Sequence, residues 1–145
     1  MDYSPYRSLG SHRHPSPTDS TVLVVDDDAD IVDFVATALI TVGYHVLAGV
    51  GADALQIAQL AHPDVILMDL RMPGIDGIEM SRRLRAHPET ADIPIVAMSA
   101  QDFPRDSGFH ALVNDRLSKP FHLKDLYGAV ALWSGPDRAK LYFTS

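Results

Sequence analysis

Short runs of consecutive apolar residues alternate along the chain with longer segments in which apolar residues recur every three or four positions. A short apolar run is typical of a strand buried on both faces, and the wider spacing is typical of a helix with one apolar face. The run at 22–25 is followed by an apolar stripe from Ile31 to Val42, which Asp28 can cap and Gly43 can end. This stretch therefore predicts a strand and then a helix.

The same alternation continues to residue 133. We predict further strands at 44–50, 65–68, 93–98 and 116–118, and further helices at 52–61, 76–86, 104–112 and 123–133. The helix at 104–112 is the least regular of these, because Pro104 and Gly108 both lie within it. Strands and helices in this order imply right-handed crossovers and a doubly wound, five-stranded parallel sheet with helices on both faces.

Two terminal segments fall outside the alternating pattern. Residues 1–20 are rich in Ser, Pro and His without apolar periodicity, and we interpret them as a disordered tail. His12 and His14 could bind a metal there. Because the histidine-containing tract is so short, we favour the interpretation that both are simply solvated. We therefore expect one folded domain at 21–133, followed by a C-terminal tail at 134–145.

The composition narrows the class of protein. The chain of 145 residues suits one domain, and it has no cysteine for disulfides or thiolate metal sites. A formal net charge of −7 argues against a nucleic-acid-binding surface. The sequence has neither a bilayer-length apolar stretch nor the apolar core of a signal peptide. We expect a cytoplasmic protein with no membrane segment and no direct nucleic-acid contact.

Polar side chains stand at the predicted ends of four strands. They are Asp26 and Asp27 after the first strand, Asp69 after the third, Ser99 after the fourth and Lys119 after the fifth. Ligands of doubly wound sheets bind at the carboxyl ends of the strands, near the point where the strand order reverses. If the order is 2-1-3-4-5, the first and third strands are neighbours there, and all five side chains meet at one rim.

Crowded carboxylates repel one another, which raises their pKa values unless a cation joins them. Mg²⁺ suits such a site, because it prefers oxygen ligands, keeps several waters and can also take a phosphate oxygen. Lys119 adds a positive charge and Ser99 adds a hydroxyl, so the set has the parts that phosphoryl transfer requires. We expect Asp69 to be the nucleophile, because it directly follows the most apolar strand, and Asp26 and Asp27 to be metal ligands.

Taken singly, these residues have plainer interpretations. An aspartate after a strand is often part of a turn, and Asp28 is better explained as a helix cap than as a ligand. Ser99 alone would be a loop hydroxyl and Lys119 alone a solvated charge. The functional interpretation depends on the complementary set occurring together.

Four stretches resemble the response-regulator receiver domain of two-component signalling: VLVVDDD at 22–28, DVILMDLRMPGIDG at 64–77, PIVAMSA at 94–100 and LSKPF at 117–121. The resemblance covers residues 21 to about 132. It implies the flavodoxin-like fold and reversible phosphorylation by a histidine kinase or histidine phosphotransfer protein. It also implies a signalling module rather than an enzyme, although receiver domains phosphorylate themselves from small donors and dephosphorylate themselves.

The resemblance also assigns a role to each matching position. By position, Asp69 is the phosphoacceptor. The Mg²⁺ ligands are Asp26, Asp27, Asp69 and the backbone carbonyl of Arg71. Ser99 is the switch hydroxyl, and Lys119 is the lysine that contacts the phosphoryl group. The bond between Lys119 and Pro120 would be cis.

Two departures from the family pattern lie after the fourth strand. Arg116 occupies the position of the aromatic residue that usually reports phosphorylation to the output face. The stretch from Ser99 to Lys119 is also slightly short, and it contains Pro104 and Gly108. We therefore expect the region after Ser99 to be mobile or reshaped, and the coupling to work without an aromatic switch.

The residues after 133 are too few for a DNA-binding module, so we expect a stand-alone receiver. It would act on a downstream protein or in a phosphorelay. The sequence does not decide whether it forms a homodimer. One alternative is a haloacid-dehalogenase-like phosphohydrolase with Asp26 as nucleophile, but Asp30 and the lack of a cap domain count against it. The other is a pseudo-receiver that keeps the fold without phosphorylation. The complete polar set argues against it, because a pure binding module has no need to crowd like charges.

Overall fold

The computed structural model of the protein describes residues 20–135. Strands and helices alternate in the order β1 (Thr21–Val25), α1 (Ala29–Thr41), β2 (His45–Gly49), α2 (Ala54–Ala61), β3 (Val65–Asp69), α3 (Gly77–Ala86), β4 (Ile95–Ser99), α4 (Ser107–Leu112), β5 (Asp115–Ser118) and α5 (Leu123–Ser134). The five strands are parallel and lie in the order β2-β1-β3-β4-β5. The predicted α/β fold, flavodoxin-like with sheet order 2-1-3-4-5, is thus confirmed.

Apolar side chains of the central strands fill a core on each face of the sheet. In β3, Ile66 and Met68 join a cluster that includes residues of α2, α3 and α4. Val65 and Leu67 join a second cluster, which includes residues of α1 and α5. Because successive side chains of a strand point to opposite faces, a continuous apolar run supplies both cores at once. The helices therefore form one layer on each side of the sheet.

Short polar side chains and left-handed residues set the helix ends. Asp28 caps α1, because its Oδ1 accepts hydrogen bonds from the backbone N–H groups of Asp30 and Ile31. Gly43 follows this helix with a φ of 106°, a conformation that glycine adopts without strain. The predicted cap and stop of α1 are therefore confirmed.

Several element boundaries differ from the predicted ones. The second helix was predicted from residue 52, but a 3₁₀ turn spans Gly51–Asp53 and α2 begins at Ala54. The fourth strand was predicted from residue 93, but β4 begins at Ile95. Pro94 precedes β4, and its carbonyl accepts a hydrogen bond from the backbone N–H of Ile66 at 2.9 Å. The chain therefore joins the sheet through this carbonyl before regular pairing begins.

The region after β4 contains only a short helix. No helix forms between residues 100 and 106, and α4 has six residues. Asp106 caps α4 by accepting a 2.7 Å hydrogen bond from the backbone N–H of Phe109, and Pro104 lies before this cap. Gly108 is the second residue of α4. The predicted mobility of this region stays a prediction.

The predicted tails lie largely outside the described residues. Their innermost residues belong to the domain, because Ser20 is buried and Ser134 is the last residue of α5. The hydroxyl of Ser20 donates a hydrogen bond of 3.5 Å to the carbonyl of Ser134, so the two ends of the described chain meet. Within residues 20–135 no helix is both long and apolar enough to cross a bilayer.

Candidate functional site

The predicted site residues lie at the carboxyl ends of four strands. Asp26 follows β1, Asp69 and Ser99 are the last residues of β3 and β4, and Lys119 follows β5. Met68 of β3 pairs with Ala97 of β4, which aligns the ends of these strands. The structure thus places these residues at one rim of the sheet, where Lys119 contacts both aspartates.

Lys119 links the two buried carboxylates. Its Nζ donates a hydrogen bond of 2.8 Å to Oδ2 of Asp26 and one of 3.2 Å to Oδ1 of Asp69. Asp26 and Asp69 are only 3% and 4% exposed. The backbone N–H of Lys119 donates to the carbonyl of Ser99 at 2.7 Å, and its peptide bond to Pro120 is cis, as the resemblance implied. The lysine is therefore fixed at both its backbone and its side chain.

Three carboxylates come close enough to share one cation. One oxygen atom from each of Asp26, Asp27 and Asp69 lies within 4.8 Å of the others. Asp27 is exposed and the other two are buried, so the cluster opens towards solvent on one side. Three negative charges face the single positive charge of Lys119, and hard oxygen donors of this kind suit Mg²⁺. The donor set therefore fits the predicted magnesium site.

Asp28 does not belong to this cluster. Its side chain caps α1, while its backbone N–H donates a 3.0 Å hydrogen bond to Oδ1 of Asp26. The bond helps to hold the Asp26 carboxylate in place. Of the three consecutive aspartates, two therefore supply carboxylates to the cluster and the third orients one of them.

Burial and neighbouring charges shift the pKa values of two groups in the site. Burial, and next the charge of Asp26, raise the pKa of Asp69 to about 6, although Lys119 opposes this shift. Burial alone would lower the pKa of Lys119, but the hydrogen bond and charge of Asp26, followed by those of Asp69, raise it above its usual value. The lysine thus stays charged, while the negative charge of Asp69 would be stabilised by a further cation nearby.

The loop after β3 presents Asp69 and Arg71 at the rim. The backbone N–H of Arg71 donates to Oδ1 of Asp69 at 3.4 Å. Leu70 and Met72 are buried on either side of the exposed Arg71, so the loop is anchored by alternate residues. Gly74 has a φ of 84°, which an L-residue adopts only with strain. The role of the Arg71 carbonyl as a metal ligand stays a prediction.

Ser99 lies buried at the end of β4, with an exposure of 1%. Its Oγ accepts a 3.1 Å hydrogen bond from the backbone N–H of Gln101. A hydroxyl that accepts one hydrogen bond can still donate its own proton. Ser99 is therefore oriented in a way that leaves its proton for an acceptor in the site.

The structure places Arg116 away from the core. Its side chain is exposed on β5, and its Nη1 donates to Nδ1 of His110 on α4 at 3.2 Å. At the position where the family usually has an aromatic residue, β5 is thus linked to α4 by a polar contact at the surface.

One residue that touches the site backbone received no role from the sequence. Gly77 is buried at the start of α3, directly against the backbone of Asp69. The Asp-Gly pair that ends the stretch at 64–77 was the signal for it, but the motif alone gives no reason for the glycine.

A family model, described as the response regulator receiver domain, matches residues 22–131. The chain belongs to this family. Its stretch from β1 to α5 therefore corresponds to the receiver domain of two-component response regulators, as the sequence motifs indicated.

Curated relatives are longer than this receiver domain. The chain is 36% identical over 121 residues to the DNA-binding dual master transcriptional regulator RpaA of Synechocystis sp., covering 81% of this chain and 50% of that protein. It is 35% identical over 128 residues to the phosphate regulon transcriptional regulatory protein PhoB of Pseudomonas aeruginosa, covering 80% and 53%. The chain thus spans about half the length of the curated relatives it matches.

Solved structures of similar length share the fold. The chemotaxis response regulator CheY4 of Vibrio cholerae has a TM-score of 0.71 and 30% identity, covering 77% of this chain and 96% of that one. The receiver domain of the sensor histidine kinase PA1611 from Pseudomonas aeruginosa has a TM-score of 0.72 and 31% identity, covering 79% and 96%. That receiver domain is described with a magnesium ion coordinated in its active site cleft.

Proposed function

We propose that this receiver domain accepts a phosphoryl group on Asp69 from a histidine kinase or a histidine phosphotransfer protein. The observation that carries the proposal is the contact of Lys119 Nζ with the carboxylates of both Asp26 and Asp69. A lysine held at this point supplies the positive charge that a phosphoryl group on Asp69 would need. Membership of the receiver family supports the proposal and favours it over the phosphohydrolase alternative.

In the proposed transfer, a carboxylate oxygen of Asp69 forms a bond to phosphorus. The bond from phosphorus to the donor breaks, and the leaving histidine nitrogen or acetate oxygen keeps its electron pair. Lys119 and the hydroxyl of Ser99 then stabilise the oxygens of the phosphoryl group. Each of these groups already lies at the same rim of the sheet, so the step requires no rearrangement of the strands.

We propose that Asp26, Asp27, Asp69 and the backbone carbonyl of Arg71 hold Mg²⁺ in this site. When bound, the ion would neutralise negative charge on the transferring group. The three converging carboxylate oxygens support this assignment. The magnesium ion described in the similar receiver domain of PA1611 supports it as well.

The domain would act as a signalling module rather than as an enzyme of many turnovers. We propose that it dephosphorylates itself, and that it passes the signal to a downstream protein by contact or by phosphorelay, either as a monomer or as a homodimer. Transcription and DNA binding are named for longer relatives, of which this chain covers about half. We also propose that the protein is cytoplasmic.

The test is intact mass spectrometry after incubation with Mg²⁺ and acetyl phosphate. We expect the wild type to gain one phosphoryl group, and to lose this gain when EDTA removes the metal. Asp69→Asn should gain nothing. Asp28→Asn is the matched control, because it changes the neighbouring aspartate, and asparagine caps a helix about as well as aspartate.

Each outcome of this test has a distinct meaning. A gain that persists in Asp69→Asn but disappears in Asp26→Asn would contradict the proposed acceptor and favour the phosphohydrolase alternative. Absence of any gain in folded wild type would favour the pseudo-receiver, once a phosphorylated histidine phosphotransfer protein had also failed as donor.

A further inference from the structure

The first residue of α3 lies directly against the end of β3. A Cβ atom added at Gly77 would overlap the carbonyl oxygen of Asp69, and it would lie 2.9 Å from the Asp69 carbonyl carbon and from Cα of Leu70. These are backbone atoms, which cannot turn aside as the tip of a flexible side chain can. Any side chain at position 77 must therefore push α3 away from β3, or move the backbone of Asp69.

Hydrogen bonds hold this close approach in place. The backbone N–H of Gly77 donates to the carbonyl of Leu70 at 3.2 Å, and the N–H of Leu70 donates to the carbonyl of Met98 in β4 at 3.0 Å. Asp76 caps α3 by accepting from the N–H of Glu79 at 2.8 Å. The start of α3 is thus joined to Leu70, the residue after β3, and through Leu70 to β4.

The requirement at Gly77 is for space rather than for an unusual backbone. The glycines of the described chain with positive φ are Gly43 and Gly74, and Gly77 is not among them. Gly74 shows the opposite situation, because a Cβ atom there would meet nothing within 4 Å but its φ is 84°. An alanine at position 77 would therefore act through its contact with Asp69 and not through backbone strain.

A second glycine supports the same loop from the other side. A Cβ atom at Gly51, in the 3₁₀ turn before α2, would lie 3.2 Å from both Cγ2 and the backbone carbonyl oxygen of Ile75, and 3.3 Å from Cε of Met72. These distances are tight but require shifts of only a few tenths of an ångström, so this site is less restrictive than Gly77. The loop between β3 and α3 thus packs against two glycines, Gly51 and Gly77, at positions where a side chain would be crowded.

We propose that Gly77 is a positioning residue for Asp69, and that its missing side chain sets where the carboxylate stands relative to Asp26 and Lys119. This inference rests on the proposed function of Asp69. A shift of α3 would displace the Asp69 carbonyl and change the direction of its side chain. A misplacement of about 1 Å can slow a reaction by roughly a hundredfold. The same shift would move Asp69 relative to the other two carboxylates and weaken cation binding.

The test compares Gly77→Ala with Gly51→Ala and Gly128→Ala in the full chain. Gly128 is the matched control, because it lies in α5 and a Cβ atom there meets nothing within 4 Å. Val130→Ala, which removes two methyl groups from the core, controls for lost stability as such. Each variant is measured for the dissociation constant of Mn²⁺ by electron paramagnetic resonance, and for the rate of phosphorylation by acetyl phosphate at saturating Mg²⁺.

We expect Gly77→Ala to slow phosphorylation at least about tenfold and to weaken Mn²⁺ binding severalfold. Gly51→Ala should show a smaller loss of both, and Gly128→Ala and Val130→Ala should stay within about twofold of the wild type. A folded Gly77→Ala variant with wild-type values for both measurements would overturn the inference. A loss in Val130→Ala equal to that in Gly77→Ala would also overturn it, because stability alone would then explain the effect.

The experiment separates this inference from the proposed function. If the wild type takes no phosphoryl group, the proposed function fails, but Mn²⁺ affinity still compares the variants. If Gly77→Ala does not fold, Gly51→Ala decides, because its Cβ atom would lie 3.2 Å from the backbone oxygen of Ile75 and so disturb the same loop with a milder clash. Unchanged Mn²⁺ affinity and phosphorylation in folded Gly51→Ala would then overturn the inference.

Discussion

Asp69 is the residue on which the electrostatics of the site converge. Its carboxylate is buried next to that of Asp26, and among the described residues Lys119 is the cation that contacts both. Burial and the charge of Asp26 raise its pKa from the usual 3.8 to about 6. In the folded, metal-free protein the surroundings of Asp69 therefore disfavour its negative charge. A bound cation, or a neutral side chain at this position, would remove this unfavourable energy.

We predict that Asp69→Asn is more stable than the wild type at pH 7 in EDTA, by on the order of 1 kcal/mol, since solvent at the rim screens part of the effect. Because the raised pKa makes folded wild type the better proton binder, its stability relative to Asp69→Asn should fall as the pH rises from 3.8 to about 6. Urea unfolding at several pH values measures this difference. If the stability advantage of Asp69→Asn over the wild type is constant with pH, or grows as the pH falls, the raised pKa of Asp69 is contradicted.

Lys119 should have opposite effects on metal binding and on phosphorylation. Lys119→Met removes the positive charge beside the carboxylates, so we predict severalfold tighter Mg²⁺ binding. The same variant loses the group that would stabilise the phosphoryl oxygens, so its phosphorylation by acetyl phosphate should slow about a hundredfold. Calorimetric titration and intact mass measure the two effects. Weaker Mg²⁺ binding in Lys119→Met would indicate that the lysine acts mainly by holding the carboxylates in position.

At the scale of elements, Arg85 connects the end of α3 to the end of α4. Its guanidinium donates hydrogen bonds to the carbonyls of Leu112, Ala91 and Ile93 at 3.0, 2.9 and 2.7 Å, and to Oδ1 of Asn114 at 2.9 Å. The same Asn114 oxygen accepts from the backbone N–H of Ile95, the first residue of β4. One side chain thus fixes the C-terminal end of the short α4.

We predict that Arg85→Lys lowers the free energy of unfolding by about 1 to 2 kcal/mol, because a single ammonium group cannot reach all these acceptors. Amide exchange at residues 107–115 should accelerate more than exchange in α3. Arg82→Lys is the control, since Arg82 makes an exposed ion pair with Glu79, and its effect should stay within about 0.5 kcal/mol. Equal acceleration in α3 and at 107–115 would show that Arg85 acts on the whole domain.

The region from 101 to 115 should also exchange faster than α3 in the wild type. Only six of its residues are helical, and the segment before Asp106 lacks helical hydrogen bonds. We therefore predict lower amide protection at 101–115 than in α3, measured by hydrogen exchange with mass spectrometry. Similar protection in the two segments would contradict the predicted mobility of this region.

The elements that the sequence predicted well are those with a strong pattern and a local end signal. The cap at Asp28 and the stop at Gly43 are examples, because both depend on neighbours within a few residues. The acceptors of Arg85 are mostly backbone carbonyls, which no residue pattern marks. The space requirement at Gly77 was equally hidden, since it depends on how α3 meets β3.

The location of the site residues could be predicted from the topology of the sheet rather than from local sequence signals. In a parallel sheet the strand ends meet at one rim, so the residues after each strand, such as Asp26 and Lys119, share a location once the strand order is given. The order itself did not follow from the periodicity and entered as a condition, until the motifs and then the structure supplied it. The contacts of Lys119 with both carboxylates lay beyond the sequence, because they depend on side-chain geometry.

At the scale of the whole molecule, the site exists only in the folded sheet. Its carboxylates follow or end β1 and β3, and Lys119 follows β5 at the edge of the sheet. An unfolded chain cannot bring these groups together, so a cation that binds the cluster stabilises the fold by mass action. Metal binding and global stability are therefore linked in this protein.

We predict that Mg²⁺ at a hundred times its dissociation constant raises the free energy of unfolding by about 2.7 kcal/mol. Asp27→Asn should lose most of this gain, because it removes the exposed carboxylate of the cluster, whereas Asp28→Asn should keep it, because Asp28 caps α1. Urea unfolding with and without Mg²⁺ measures the gain, and NaCl at equal ionic strength controls for general screening. An equal gain with NaCl, or in Asp27→Asn, would mean that the ion acts on the overall negative charge of the protein rather than in the cluster.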